Sequence, residues 1–323
     1  MKVSVTAKDI TMLKRVFTDR QLNEIRRLAN DEIDVFPSEI LETGDEEIIF
    51  STWGIPKINL EGHKNLKAVF YGAGSVQSFA REMLEGGVRV FSAWHANAVP
   101  VAEYAFAQII LSLKGFVPVM NECRDNRQAS YERFSKYPGA YRAKVGLLGL
   151  GAIGSRVAKF LMNTDTDVYA FDPFASAEKA KSLNVQLIGL DKIFETCDVI
   201  SNHIANLPET KGIITRKHLL SMKSYSTFIN TGRGAQLNEQ DLYDALKKDE
   251  TITALLDVVT DEKNFNDCIL RSLPNCHFTP HIAGTAGLET ERMGERMVNA
   301  YRDYLLGIGC EDEVTLKMLE TMA

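Results

Sequence analysis

The sequence is poor in cysteine, in excess positive charge and in long apolar runs, and each shortage removes a class of protein. Its five cysteines (Cys123, Cys197, Cys268, Cys276, Cys310) are an odd number without a C-x-x-C pair. That excludes a disulfide framework and a zinc ribbon, leaves ordinary thiols, and gives no reason to expect a metal. The most apolar stretch, Val101 to Leu113, is broken by Glu103 and Gln108 and is too short to span a bilayer. The N-terminal MKVSVTAKDI alternates apolar and polar residues as a half-buried strand does, and lacks the continuous apolar core of a signal peptide. No membrane association and a cytoplasmic location are therefore expected. The formal net charge is −6, with both signs scattered along the chain, so nothing is set up to neutralise a nucleic-acid backbone.

What is present is an ordinary globular composition, 45% hydrophobic and 25% charged, over 323 residues, which points to two domains. The first hundred residues alternate strand-like and helix-like pieces: KVSVTA, a helix from Thr18, then EEIIFST, KAVFYG and VRVFSA. Thr18 is a candidate N-cap with Gln21 as its reciprocal partner, and Leu22, Ile25 and Leu28 share one helical face. This predicts a small parallel-sheet domain. Apolar residues from Ala102 to Leu113 keep the rhythm of a broadly buried helix, whereas 115–143 shows little periodicity and reads as a surface connection. From Lys144 strands and helices alternate strictly: VGLLGL, a helix from Ser155, DVYAFD, a helix near Ala177, VQLIG, LDKIFETC, DVISNH, STFINT, ITALLDV and CHFTP. Asn238 caps a further helix, EQDLYDALKK. This is the pattern of a doubly wound parallel sheet. A last helix near Leu288 to Leu305 lines up Met293, Met297, Tyr301 and Leu305, has no strand after it, and is expected to pack back on the first domain. The expected boundaries are 1–98, 99–285 and 286–323.

Between a strand and a helix stands GLGAIG, with Gly149, Gly151 and Gly154 enclosing Ala152 and Ile153. In that context the first glycine permits a tight turn, the second lets backbone approach a pyrophosphate, and the third allows close helix–strand packing. The next strand ends at Asp172, where a carboxylate can accept from adenosine ribose hydroxyls and favours NAD over a 2′-phosphorylated cofactor, since Pro173 and Phe174 supply no cation. The competing reading is that Asp172 only opens the turn at Pro173. Polar residues then stand just beyond the carboxyl ends of three more strands: Arg233, Asp257 to Glu262, and His281. Ligands bind outside that edge of an open parallel sheet, so groups distant in sequence can converge there.

NTGRG around Arg233, LDVVTDE around Asp257 and Glu262, and TPHIAG around His281, all downstream of GLGAIG, resemble the signature of the D-isomer-specific 2-hydroxyacid dehydrogenases. The similarity runs over about residues 60 to 306, including NAVPVAEYAFAQIILSL and HIANLPETKGII. It implies a Rossmann coenzyme domain inserted into a flavodoxin-like α/β substrate domain, an NAD cofactor, a small 2-oxo or 2-hydroxy acid substrate, and a homodimer. It assigns proton transfer to His281, a supporting carboxylate to Glu262, the substrate carboxylate and oxyanion to Arg233, and the nicotinamide carboxamide to Asp257. His203, Ala205 and Thr231 join the glycine turn and Asp172 as implied cofactor-binding residues.

The chemistry asks for these residue types. Reduction of a 2-oxo acid builds negative charge on the C2 oxygen, so a proton donor must stand beside it while hydride arrives. A carboxylate on the imidazole orients the ring, and a guanidinium supplies fixed positive charge. The Gly72-Ala73-Gly74 loop after KAVFY offers backbone N–H groups for the substrate carboxylate, with Ala73 and Gly74 as the candidates, or is a plain glycine turn. Trp53 and Trp94 are either pocket walls or core. The sequence departs from the family pattern at Ser75–Val76, where an acidic residue is common, at Tyr104 in place of a histidine, and at Ala205 and Leu207 in place of proline and threonine. Which 2-oxo acid is used stays open. An NAD-sensing scaffold and a Rossmann-like methyltransferase are the rival readings, and the latter has no use for His281 and Glu262. The absence of a regulatory domain after the last helix argues against an allosterically controlled phosphoglycerate enzyme.

Overall fold

The computed structural model describes residues 1–322. The chain divides into two compact units, Met1–Ala98 with Thr285–Ala323, and Val99–Gly284.

The first segment opens on β1 (Val3–Ala7), buried along its whole length as a central parallel strand is. The helix α1 (Ile10–Val16) begins at Asp9, whose carboxylate accepts the Thr11 and Met12 N–H groups. The sequence pattern did not reveal it, because seven residues give too few turns for a stripe. In α2 (Asp19–Ala29) Thr18 is the N-cap by position, but its hydroxyl goes to the Gln21 side chain and not to a helix N–H. There follow β2 (Ile33–Pro37), β3 (Ile40–Leu41), β4 (Ile48–Ser51), β5 (Lys57–Ile58), β6 (Ala68–Tyr71), α3 (Ala80–Glu85) and β7 (Arg89–Ser92). Strands β7-β6-β4-β1-β2 lie in that order, all parallel, which is the flavodoxin-like order. The pair β3 and β5 forms a separate two-stranded sheet.

The helix α4 (Trp94–Ser112) leads into the second unit. The stretch read as a surface connection contains two helices, α5 (Phe116–Cys123) and α6 (Arg127–Phe134), the second capped by Asn126 on the Ala129 N–H at 3.0 Å. The second has no apolar stripe, whereas the first places Phe116, Val119, Met120 and Cys123 at helical spacing over a short segment that Pro118 makes read as loop. The doubly wound unit then runs β8 (Lys144–Leu148), α7 (Ala152–Leu161), β9 (Asp167–Phe171), α8 (Ala177–Ser182), β10 (Gln186–Leu187), α9 (Leu190–Thr196), β11 (Val199–Asn202), α10 (Arg216–Leu220), β12 (Thr227–Asn230), α11 (Glu239–Lys248), β13 (Thr253–Leu256) and β14 (Cys276–Phe278). The seven strands are parallel in the order β10-β9-β8-β11-β12-β13-β14, which places the switch point at β8, beside the glycine turn. Asn238 caps α11 on Gln240 and Asp241 as the sequence indicated, whereas α7 starts at Ala152, ahead of the expected Ser155.

The last helix, α12 (Glu289–Leu306), returns to the first unit and buries Met293, Met297 and Tyr301. Tyr301 meets Phe50 and Phe70 edge-on, both at 5.3 Å. A short strand does follow it: β15 (Glu313–Val314) pairs antiparallel with β7. Two residues carry no readable alternation, and its anchor is long-range, the Arg89 guanidinium donating to both Glu313 oxygens at 2.7 and 2.8 Å. Among the described residues no single helix is long and apolar enough to cross a membrane.

Candidate active site

In the second unit the turn after β8 is built around three glycines. Gly149 has φ of +91°, a region that favours glycine, and a Cβ there would lie 2.9 Å from the His203 carbonyl oxygen. A Cβ on Gly154 would lie 2.0 Å from the Gly149 carbonyl oxygen, so α7 can approach β8 only without a side chain. A Cβ on Gly151 would meet nothing within 4 Å. The open side of the turn is thus at Gly151, where α7 begins and its unpaired N–H groups face outward beside Ala152, with Ile153 packed partly into the core. A cradle of this shape fits a dinucleotide pyrophosphate.

Both ends of the Leu150 peptide are pinned. Its N–H donates to Asp172 Oδ2 at 2.7 Å, and its carbonyl accepts from Ser155 Oγ and Lys179 Nζ, each at 2.6 Å. Asp172 Oδ1 accepts the Phe174 and Ala175 N–H groups at 2.8 and 3.1 Å, so the residue does shape the turn after β9 as well as stand beside the glycine loop. Lys179 brings a cation to the glycine turn through the Leu150 carbonyl. It was illegible because it reaches the loop from α8.

At the ends of β11 and β12 a buried amide network, absent from the sequence reading, links Asn202, Asn230 and Gln236. Asn202 Nδ2 donates to Asn230 Oδ1 at 3.0 Å and to Gln236 Oε1 at 2.5 Å. The same groups hold the loop that carries Arg233, whose N–H donates to Gln236 Oε1 at 3.2 Å while its carbonyl accepts from Asn230 Nδ2 at 3.2 Å. Gln236 also donates to the carbonyls of Ile204 and Ala205. His203 is enclosed, with Nε2 3.0 Å from Ser201 Oγ and Nδ1 3.5 Å from Thr231 Oγ1. Burial without a charged partner pushes its imidazole down to about 4, leaving it neutral near pH 7.

The Arg233 guanidinium is half-buried, donating to the Gly232 carbonyl at 2.8 Å. Burial pushes its pKa down and the nearby Glu262 carboxylate opposes that shift. Glu262 Oε2 in turn lies 3.0 Å from His281 Nδ1, both side chains being half-exposed at 45%. The three groups therefore share one neighbourhood at the carboxyl edge of β12, β13 and β14. His281 has φ of +56°, an uncommon backbone for a residue with a side chain. Asp257, buried to 4% exposure, does not extend away from the protein: it accepts from Thr279 Oγ1, Ile282 N–H and Ala283 N–H at 2.6, 2.8 and 2.9 Å.

In the first unit the Gly72-Ala73-Gly74 loop has its carbonyls engaged from within. Thr52 Oγ1 donates to the Gly72 oxygen, and Ser92 Oγ to the oxygens of Ala73 and Gly74, each at 2.9 Å. Whatever this loop offers a ligand comes from its N–H edge. A Cβ on Gly74 would lie 3.1 Å from Asn97 Nδ2, and Asn97 Oδ1 accepts from Thr285 N–H and Oγ1 at 3.3 Å. Trp53 packs partly into the core, whereas Trp94 stacks on His95 with centroids 3.6 Å apart and has a buried, unpartnered indole N–H.

The second unit is a dinucleotide-binding domain with an imidazole, a carboxylate and a guanidinium gathered at its carboxyl edge. Residues 106–283 match the family model of the D-isomer specific 2-hydroxyacid dehydrogenase NAD-binding domain, and the chain belongs to that family and binds NAD. It is 30% identical over 264 residues to a D-3-phosphoglycerate dehydrogenase of Archaeoglobus fulgidus, covering 81% of this chain and 49% of that protein. The chain thus spans about half the length of that relative. The NAD-complexed D-isomer specific 2-hydroxyacid dehydrogenase of Lactobacillus delbrueckii ssp. bulgaricus shares the fold with a TM-score of 0.74 at 18% identity, over 98% of this chain and 100% of the other. An acyclic imino acid reductase in complex with NADPH and D-Arg does so with a TM-score of 0.77 at 22% identity, over 98% and 100%.

Proposed function

We propose that the protein transfers a hydride between NAD and C2 of a small 2-oxo or D-2-hydroxy acid, with His281 as the acid and base. The observation that carries this reading is the 3.0 Å approach of His281 Nδ1 to Glu262 Oε2, within the electrostatic reach of a half-buried Arg233. With Nδ1–H donating to Glu262, the ring is oriented and Nε2 is left to give a proton to the C2 oxygen on reduction and take one on oxidation. Arg233, partly desolvated, binds the substrate carboxylate and the developing oxyanion more strongly than a fully exposed guanidinium would. The bound nicotinamide supplies or accepts the hydride.

Gly149, Gly151, Ala152, Ile153 and Gly154 are assigned to the pyrophosphate and Asp172 to the adenosine ribose, with His203, Ala205, Thr231 and Asp257 toward the nicotinamide side. Asp257 makes three bonds to its own protein, so one lone-pair direction at most is left for a carboxamide. The first unit is assigned the substrate role through the Ala73 and Gly74 N–H groups. With the family comes the expectation of a cytoplasmic homodimer, which fractionation and sedimentation test.

A panel of 2-oxo acids assayed for oxidation of NADH and of NADPH tests the activity. Turnover of at least one 2-oxo acid that His281→Asn abolishes is expected. Tight NADH binding with no turnover of any member would instead favour a cofactor-sensing scaffold.

A further inference from the structure

The histidine named in the proposed function sits in a left-handed turn, and a chain of hydrogen bonds leads from that turn to a residue outside it. Tyr104, on α4, has its hydroxyl 2.9 Å from Thr279 Oγ1. Thr279 Oγ1 is 2.6 Å from Asp257 Oδ1. The same Oδ1 accepts the Ile282 N–H at 2.8 Å, Oδ2 accepts the Ala283 N–H at 2.9 Å, and the Asp257 carbonyl accepts the His281 N–H at 3.0 Å. Asp257 thus grips the segment 279–283 at residues before and after His281.

The direction of the chain follows from proton counting. A carboxylate only accepts, so the single hydroxyl proton of Thr279 goes to Asp257. The oxygen of Thr279 then has a lone pair to offer, and Tyr104 must be the donor. The chain ends on a buried carboxylate, which strengthens the 2.6 Å bond from Thr279 and polarises the hydroxyl that Tyr104 reaches. Pro280, between Thr279 and His281, has no N–H, so the turn has fewer backbone bonds of its own to hold the φ of +56° at His281. That conformation persists because its surroundings over-determine it.

We propose that Tyr104 is a positioning residue for the proton transfer, acting through Thr279 and Asp257 to hold the turn that presents His281. This rests on the assignment of His281 as proton donor.

The test compares Tyr104→Phe, Thr279→Val, Thr279→Ser and the Phe/Val double variant in the full chain. For Tyr104→Phe a drop in kcat of about 3- to 30-fold is expected, with the NADH Kd within about twofold and the solvent deuterium isotope effect on kcat increased as proton transfer becomes slower. Thr279→Ser retains the hydroxyl and keeps near-normal turnover, and the double variant is no worse than Thr279→Val. Hydrogen exchange of the peptide spanning 279–284, followed by mass spectrometry, gives a readout independent of turnover. It quickens in Tyr104→Phe and Thr279→Val and not in Thr279→Ser. Unchanged exchange in Tyr104→Phe, or additive losses in the double variant, overturns the proposal. If the unaltered protein reduces no 2-oxo acid, the assignment of His281 falls, while the exchange experiment still decides whether Tyr104 holds the turn.

Discussion

A methyl group on Gly154 would sit 2.0 Å from the carbonyl oxygen of Gly149, whereas one on Gly151 would stand in open space. Two similar substitutions in one motif should therefore fail in different ways. Gly154→Ala forces α7 off β8 and is expected to lower stability by roughly 3 kcal/mol or more, because backbone and not a flexible side chain must yield. Gly151→Ala should melt like the unaltered protein and raise the NADH Kd by ~10-fold or more, the methyl group standing where a pyrophosphate must approach. Differential scanning calorimetry with fluorescence titration separates the two. Normal NADH affinity in Gly151→Ala would remove the pyrophosphate from this turn.

His281→Asn should lower kcat by about 100- to 10,000-fold while NADH binding is kept. Asparagine tolerates the left-handed backbone, so the variant tests the imidazole and not the turn. Glu262→Gln should cost less, roughly 10- to 100-fold, since it weakens orientation and charge support without removing the proton donor. Stopped-flow single turnovers with an accepted 2-oxo acid measure both.

The buried imidazole of His203 makes stability depend on acid. Its folded value of about 4 lies below the ordinary 6.5, so the unfolded chain takes up the proton more readily. The contribution is whole above pH 6.5 and is lost as pH falls toward 4, where it has shrunk by about 3 kcal/mol. Urea denaturation at a series of pH values should show this slope, and His203→Gln should flatten that part of it. A variant with the original slope would mean that another group is responsible.

Gly294 tests how the last helix is seated. A Cβ there would lie 1.9 Å from the Val16 carbonyl oxygen at the end of α1. Gly294→Ala is expected to destabilise the protein by roughly 3 kcal/mol or more, and Gly309→Ala, where nothing lies within 4 Å, by less than ~1 kcal/mol. Thermal melts of the two variants check the contrast.

What could be read in the sequence was whatever repeats locally. The strands of the second unit announced themselves as buried β-rich runs, Asn238 marked its helix, and GLGAIG lay between strand and helix where its spacing has meaning. The α/β class and the parallel order followed from that alternation. Helix α1 was too short to show a face and α6 lacked an apolar stripe, so their starts at Asp9 and Asn126 read like ordinary loop chemistry, whereas α5 carries Phe116, Val119, Met120 and Cys123 at helical spacing and was masked by Pro118 inside it. Of the candidate site, Arg233, Glu262 and His281 stood out by residue type after successive strands, and the fold carries them to one sheet edge. The Asn202–Asn230–Gln236 network and the reach of Lys179 to Leu150 did not stand out, because an amide or a lysine acquires a partner only when distant segments fold together.

The return of α12 and β15 to the first sheet has a consequence for synthesis on the ribosome. Strands β1 to β7 emerge first, yet the surface that Met293, Met297 and Tyr301 cover stays bare until residues 289–306 have been made. The middle unit, contiguous in sequence, can condense while its predecessor waits half-built, so a nascent chain stalled before residue 289 should be the form that most needs a chaperone.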